Sequence, residues 1–325
     1  MRLLVRMVAA GAAALMFSPF ASVAQAQSDY PNKPIRLIIP FPPGGSNDVV
    51  GRMVANKLGE RLGKQLLIDN RAGAGGVVGT EVAANAAPDG YTLVVVAISH
   101  AVNPWLYKLK FDAEKSFTPI AQLASGASVL AVYPGLPVKS VKELIDYAKA
   151  NPGKLNMAHA GVGSFQHLSS SLLLQLTKLD IVLVPFKGGN PAMIDVMGGH
   201  SHIVMGSLVQ ATGHISGGKL RALGIGSAKR LPAFADWPTV AEAGVPGYDA
   251  DNWWGIMGPV GIPKPIVDKL IAEIGAVQDQ PDIKTTFTRE GAEIVKRSGP
   301  EFAKFIGTEL VKWEQVVKAG NIKAE

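Results

Sequence analysis

The chain has 325 residues, 32 Lys and Arg against 26 Asp and Glu, a formal net charge of +6 and no cysteine. Thiolate metal sites, cysteine nucleophiles and a disulfide framework are thereby excluded, so the fold must rest on its apolar core. The positive charge is mild and interspersed with acids, without the Lys/Arg blocks or basic and aromatic alternation of a nucleic-acid surface. It suggests only a modest preference for anionic ligands.

At the N-terminus, Arg2 and Arg6 precede the apolar run MVAAGAAALMFSPFASVA, which ends in Ala24-Gln25-Ala26. Basic, then apolar, then small predicts a secretory signal peptide over residues 1–26, cleaved after Ala26. The apolar part is shorter than the ~20 residues of a membrane span. Removing 26 of the 325 residues leaves 299, enough for two domains.

Short apolar runs then predict strands at 35–41 (IRLIIPF), 65–70 (QLLIDN) and 91–99 (YTLVVVAIS), each nearly continuous, as in sheets covered on both faces. Between the first two, Val50, Met53, Val54, Leu58 and Leu62 recur at helical spacing behind Ser46, read as the N-cap. A second series begins at 128–133 (SVLAVY) and continues through KLNMAH, DIVLVPF, SHIVMG and KLRALGIGS. The clearest helix among them is SVKELIDYAKA, with Ser140 and Glu143 as a capping box and Val141, Leu144, Ile145 and Ala148 on one face. The final third adds a strand at NWWGIMGPV and two amphipathic helices. In the last, from Pro300 to Lys318, Phe302, Phe305, Ile306, Leu310, Trp313 and Val317 form one stripe that returns to complete the first series. Two α/β sheets follow, with domain 1 at 27–126 plus 226–325 and domain 2 at 127–225.

In such sheets ligands sit beyond the carboxyl ends of strands. Four loops occupy those places: PFPPGGSND, AISHAVNP, HAGVGSFQH and PFKGGNP. Exposed N–H groups at helix starts bind anions without any charged side chain, and Gly44, Gly45, Gly161, Gly163, Gly188 and Gly189 let backbone approach a ligand. The first loop lacks the Lys of a Walker loop. GAGGVVGT has its last Gly one place too late for a dinucleotide fingerprint, with no acidic residue on a following strand. No G-x-S-x-G elbow occurs. Ser164 and His167 lie three apart, without an acid to orient the His, and read as neutral hydrogen-bonding groups. His200 and His202 would share a strand face but lack a third metal ligand. Trp253 and Trp254 point to opposite faces of a strand, one into the core and the other able to wall a cleft.

These loops resemble a known family. The opening from YPNKPIRLIIPFPPGGSNDVVGRM to APDGYTL, then NPWLY, FTPIAQL, NPGKLNMAHAGVGSFQHL, VPFKGGNPAMIDVMGGH, GKLRALGIGSAKR and PTVAEAGVPGY, is similar to the substrate-binding receptors of tripartite tricarboxylate transporters, also called Bug receptors. The resemblance implies a type II-like periplasmic binding protein of two lobes, a Venus flytrap in which each lobe is a mixed sheet flanked by helices. It implies a monomer that is not catalytic, needs no cofactor, metal or nucleic acid, and delivers a small organic acid to the permease subunits of a membrane transporter. Carried over to this chain, the ligand-binding positions are Pro43, Gly44, Gly45, Ser46 and Asn47, then Ser99, His100 and Asn103, then Gly161, Val162, Gly163, Ser164 and His167, then Lys187, Gly188 and Gly189, with Ser207 beside them. Where the family commonly reads VDLMFDN this chain reads SHIVMGS, which places His202 and Gly206 at positions where acids are usual and Ser207 where Asn is. Fewer acids disfavour an amino-acid ligand and, with Val162 and Phe165, favour an aromatic or longer aliphatic mono- or dicarboxylate. Hinge strands are expected near 126 and 226. A receptor handing its closed form to a membrane sensor would look the same, and an exported hydrolase using Ser164 and His167 is the enzymatic alternative.

Overall fold

The structure, a computed structural model, describes residues 29–319, 322 and 323. The predicted signal peptide and its cleavage point lie outside the described residues. Three strands, β1 (Ile35–Ile39), β2 (Leu66–Asn70) and β3 (Thr92–Ala97), pair in parallel in the order β2-β1-β3. Strand alternation explains how β1 is covered on both faces. Ile35, Leu37 and Ile39 join Val50, Val54 and Leu58 of helix α1 (Ser46–Leu62), whereas Ile38 packs in the cluster that holds Phe302 and Ile306 on the opposite face. The C-terminal stripe therefore packs on the first sheet: Phe302, Ile306 and Val317 of helix α10 (Gly299–Ala319) are buried there.

The sequence signals at FTPIAQL and SVLAVY belong to one strand. β4 (Phe117–Val132) runs for 16 residues through Ala124-Ser125-Gly126-Ala127, small residues that read as a break. They are small because of packing: a Cβ on Gly126 would lie 2.9 Å from the ring of Trp254, which is fully buried beside it. Up to Ala127, β4 pairs antiparallel with β9 (Asp251–Pro259) and β10 (Ala292–Ile294). From Ser128 it pairs with β7 (Ile203–Ser207) and β8 (Arg221–Ile225). The second sheet is completed by β5 (Asn156–His159) and β6 (Val182–Pro185), parallel to one another, with β5 also parallel to β7. Both sheets are mixed, and each carries apolar clusters on both faces.

Three local expectations change. Ser46 is the first residue of α1 and Gly45 is its cap, with no side chain to accept from the first turn. His200 and His202 precede β7, where His202 Nδ1 accepts from the Asn156 N–H at 3.0 Å, and no group of three metal-ligating side chains occurs among the described residues. Neither tryptophan walls a cleft: Trp253 donates to Glu309 Oε2 at 2.9 Å and Trp254 to Asn47 Oδ1 at 3.0 Å, both buried. The Ser140 cap is as expected, its Oγ accepting from the Glu143 N–H at 3.1 Å at the start of helix α4 (Val141–Ala150).

Candidate ligand site between the two sheets

The first loop is built to hold its N–H groups open. Asp48, buried in the first turn of α1, accepts from Gly44 N–H at 3.0 Å and Arg52 Nε at 2.8 Å, while Asn70 Nδ2 ties its other oxygen to the Phe41 carbonyl, each at 2.9 Å. Burial opposes its charge, but those donors hold the carboxyl below the usual range. The carboxylate is thus spent on the loop's own frame, and Gly45 leaves the first N–H groups of α1 uncapped.

Four more helices begin at the same place. α3 (Ile98–Leu106) follows Ala97 and α6 (Gly189–Met197) follows Gly188, neither with a capping side chain. α7 (Leu208–Ser216) follows Ser207, whose Oγ is buried and unpartnered. α5 (Phe165–Thr177) is capped by Ser164, which accepts from the His167 N–H at 3.2 Å. Between them lies a cavity of ≈ 30 Å³. Its lining includes Gly45, Ser46, Asn47, Ser99, Ser164 and Gly189 from the expected positions, and Phe41, Ala97, Ile98, Ala160, Phe165, Gln166, Gln210 and Asn252 besides.

Among the described residues, no ionisable side chain lines this cavity. Several neutral ones reach it with hydrogen-bonding capacity unused. Gln166 donates to Gln210 Oε1 at 3.4 Å, leaving Gln166 Oε1 and Gln210 Nε2 unpartnered; Asn252 Oδ1 accepts from the Ile98 N–H at 3.4 Å, leaving its Nδ2 unpartnered. All three residues are buried. A native core leaves few such groups unsatisfied, so their concentration around one cavity marks a place where a polar guest or water completes them.

Beside it lies an outer cleft of ≈ 490 Å³ that shares Phe41 and Ala160 with the inner cavity. Gly161, Val162 and Lys187 line this cleft, together with Pro42, Tyr107, Phe186 and the run Ala72 to Gly76. The glycines rejected as a dinucleotide fingerprint form its wall: Gly73, Gly75 and Gly76 all have positive φ, and a Cβ on Gly75 would lie 2.7 Å from the Val162 carbonyl across the cleft. Tyr107 Oη donates to that same carbonyl at 3.1 Å. Gly188 likewise allows close approach, since its Cβ would lie 2.6 Å from Pro42. The two halves are in contact across the cleft.

The remaining expected positions line neither space. Pro43 is exposed, and Gly44, Gly163 and Gly188 shape the loops behind the lining. His100 turns into the core: its Nε2 lies 2.7 Å from the Ala113 carbonyl, its ring packs edge-on against Phe117, and burial pushes its pKa down to about 4. Asn103 Nδ2 donates to the Gly75 carbonyl at 3.1 Å and supports the glycine wall. His167 accepts from the Gly163 N–H at 3.4 Å, and burial, with His159 4.7 Å away, lowers its pKa to about 4. Ser164 Oγ meets the backbone of His167 and not its ring, so the pair lacks the contact a nucleophile and base require.

Comparison with known proteins gives a consistent picture. Residues 50–322 match the family described as "Tripartite tricarboxylate transporter family receptor". The chain is 34% identical to Protein BugT of Bordetella pertussis over 300 residues, which cover 90% of this chain and 91% of that one. Among solved structures it is similar to R. palustris Rpa4515 with adipate, at 32% identity and a TM-score of 0.88 over 91% of this chain and 100% of the other. It is also similar to MatC from Rhodopseudomonas palustris with bound malate, at 35% identity and a TM-score of 0.83 over 89% and 100% of the two chains.

Proposed function

The chain belongs to the tripartite tricarboxylate transporter receptor family, and from that premise we propose that it captures a small organic acid in the inner cavity and carries it to the permease subunits of such a transporter. It is a two-lobed periplasmic solute-binding protein, in keeping with the similar structures described as a periplasmic transporter and as the periplasmic binding protein BugD. The observation that carries the ligand assignment is the ≈ 30 Å³ cavity itself: helix starts from both sheets, unpartnered amides from Gln210 and Asn252, and no acid to repel a carboxylate. Helix dipoles and N–H groups together favour an anion there. That adipate and malate occupy two similar proteins supports a carboxylate as the guest.

In this reading Gly45, Ser46, Asn47, Ser99, Ser164 and Gly189 bind the ligand directly, while Gly44, Asn103, Gly163, His167 and Gly188 fix the loops that do so. His100 has a structural role only. We place the moving bodies at residues up to 127 with those from 251 onward, and at residues 128–250, later than the boundary near 226 that the sequence suggests, because Val240, Val245 and Tyr248 pack with Leu130 and Met205 of the second sheet. The partner change of β4 between Ala127 and Ser128, and the return of the chain to β9 at Asp251, support hinges at those two crossings. The protein works as a monomer without cofactor, catalysis or nucleic acid, and reaches the periplasm by cleavage of its leader after Ala26. A melting experiment with adipate, malate and the corresponding uncharged diamides tests this. Acids at a hundredfold excess over their dissociation constants stabilise by about 2.7 kcal/mol, and the diamides do not. Equal shifts from acids and diamides, or none from either, contradict the proposal.

A further inference from the structure

We infer that the ligand is an aryl carboxylate bearing a second anionic group, its first carboxylate in the inner cavity and its ring in the outer cleft. The inference rests on the carboxylate reading above and extends it from the head of the ligand to its body. At ≈ 30 Å³ the inner cavity has room for little beyond one carboxylate, so the rest of any guest must lie outside it. The two spaces adjoin at Phe41 and Ala160, which line both. Beyond them the cleft of ≈ 490 Å³ presents Phe41, Tyr107 and Phe186 on its sides and the side-chain-poor run Gly73 to Gly76 as a wall. Glycine backbone leaves that wall free of side chains, and aromatic rings prefer a planar guest that can stack on them or meet them edge-on. A short hydroxy-acid or a thin flexible chain would leave these surfaces unfilled.

Among the described residues Lys187 is the only side chain lining the cleft that is charged at neutral pH, and no Asp or Glu lines either space. The far end of the guest therefore meets one positive charge with no local counter-charge on the lining. An ammonium at that end would be repelled; a carboxylate or sulfonate would pair. Because Lys187 is exposed, that pairing adds specificity more than affinity.

The test is a calorimetric titration of the purified protein with benzoate, phenylacetate and 3-phenylpropanoate, the 4-carboxy derivative of each, and malate and adipate. The ladder covers ring-to-head spacing. The inference expects the best 4-carboxy aryl acid to bind at least tenfold tighter than malate or adipate, and about fivefold tighter than its own monoacid. In Lys187→Ala that fivefold ratio falls to near one, and in Lys187→Arg it returns. Malate or adipate binding as tightly as every aryl acid overturns the inference while leaving the carboxylate reading intact. A ratio that survives in Lys187→Ala overturns the assignment of the far end. Failure of every acid overturns the carboxylate reading on which the inference stands.

Discussion

Asn252, the second residue of β9, lines the cavity with a relative exposure of 1%, its side-chain oxygen taken by the Ile98 N–H and its Nδ2 unpartnered. In the proposed binding mode it donates to the ligand carboxylate. Asn252→Asp keeps the shape and turns that donor into a charge of the ligand's own sign, so acid affinity at pH 7 should fall by roughly 100-fold or more, read by calorimetry. His100 makes a different residue-scale claim. Its pKa is pushed down to about 4 by burial, so the folded state refuses a proton that the unfolded chain accepts near 6.5. Between those values the unfolded state binds more protons, and the contribution of His100 to stability is lost as pH falls, on the order of 3 kcal/mol by pH 4. The Asp251 carboxyl, desolvated and facing Asp249 and Glu293, is raised to about 6 and acts with the opposite sign. The diagnostic is therefore the difference between proteins: chemical denaturation of His100→Gln should show a flatter loss of stability from pH 6.5 to 4 than the parent. A parallel pair of curves would place the cost elsewhere. The sequence pointed to the glycines and serines of the cavity because their chemistry is visible in short loops. It did not reveal Gln166, Gln210 or Asn252, which stand on regular elements where a polar side chain ordinarily faces water, and only the meeting of three distant segments buries them.

At the scale of elements, a side chain from the C-terminal region braces the crossing strand β4 at its irregularity. Gln278, at the end of helix α8 (Lys264–Gln278), donates from Nε2 to the carbonyls of Gln122 and Leu123 at 2.9 Å and Val295 at 3.0 Å. These are backbone groups at an irregularity of β4, where the register with β9 shifts between Gln122 and Ala124. Gln278→Ala removes that donor, leaving the Leu123 carbonyl only the Val295 N–H at 3.4 Å, and should cost about 2 kcal/mol, lowering the melting midpoint by roughly 4 °C. An unchanged midpoint would mean that water replaces the amide freely. Strands buried on both faces, such as β1 and β3, were legible because their apolar runs are continuous. β4 was not, since periodicity and turn residues carry no record of Trp254, the bulky neighbour that makes Gly126 necessary.

Across the whole molecule, the two sheets share β4 and touch again where Pro42 meets Gly188 and Tyr107 meets Val162. Those contacts lie along the outer cleft and hold the loops of the two sheets together beside the inner cavity. The general architecture followed from the alternation of strand and helix signals. The size of the cavity could not, because it depends on how closely loops distant in sequence approach one another. The most direct test of the account is the crystal structure of the protein with the acid that stabilises it most. The account predicts one carboxylate seated between Gly45, Ser99, Ser164 and Gly189, with the amides of Gln210 and Asn252 within hydrogen-bond reach. An acid lying wholly in the outer cleft or on the surface, with the inner cavity holding only water, would contradict it.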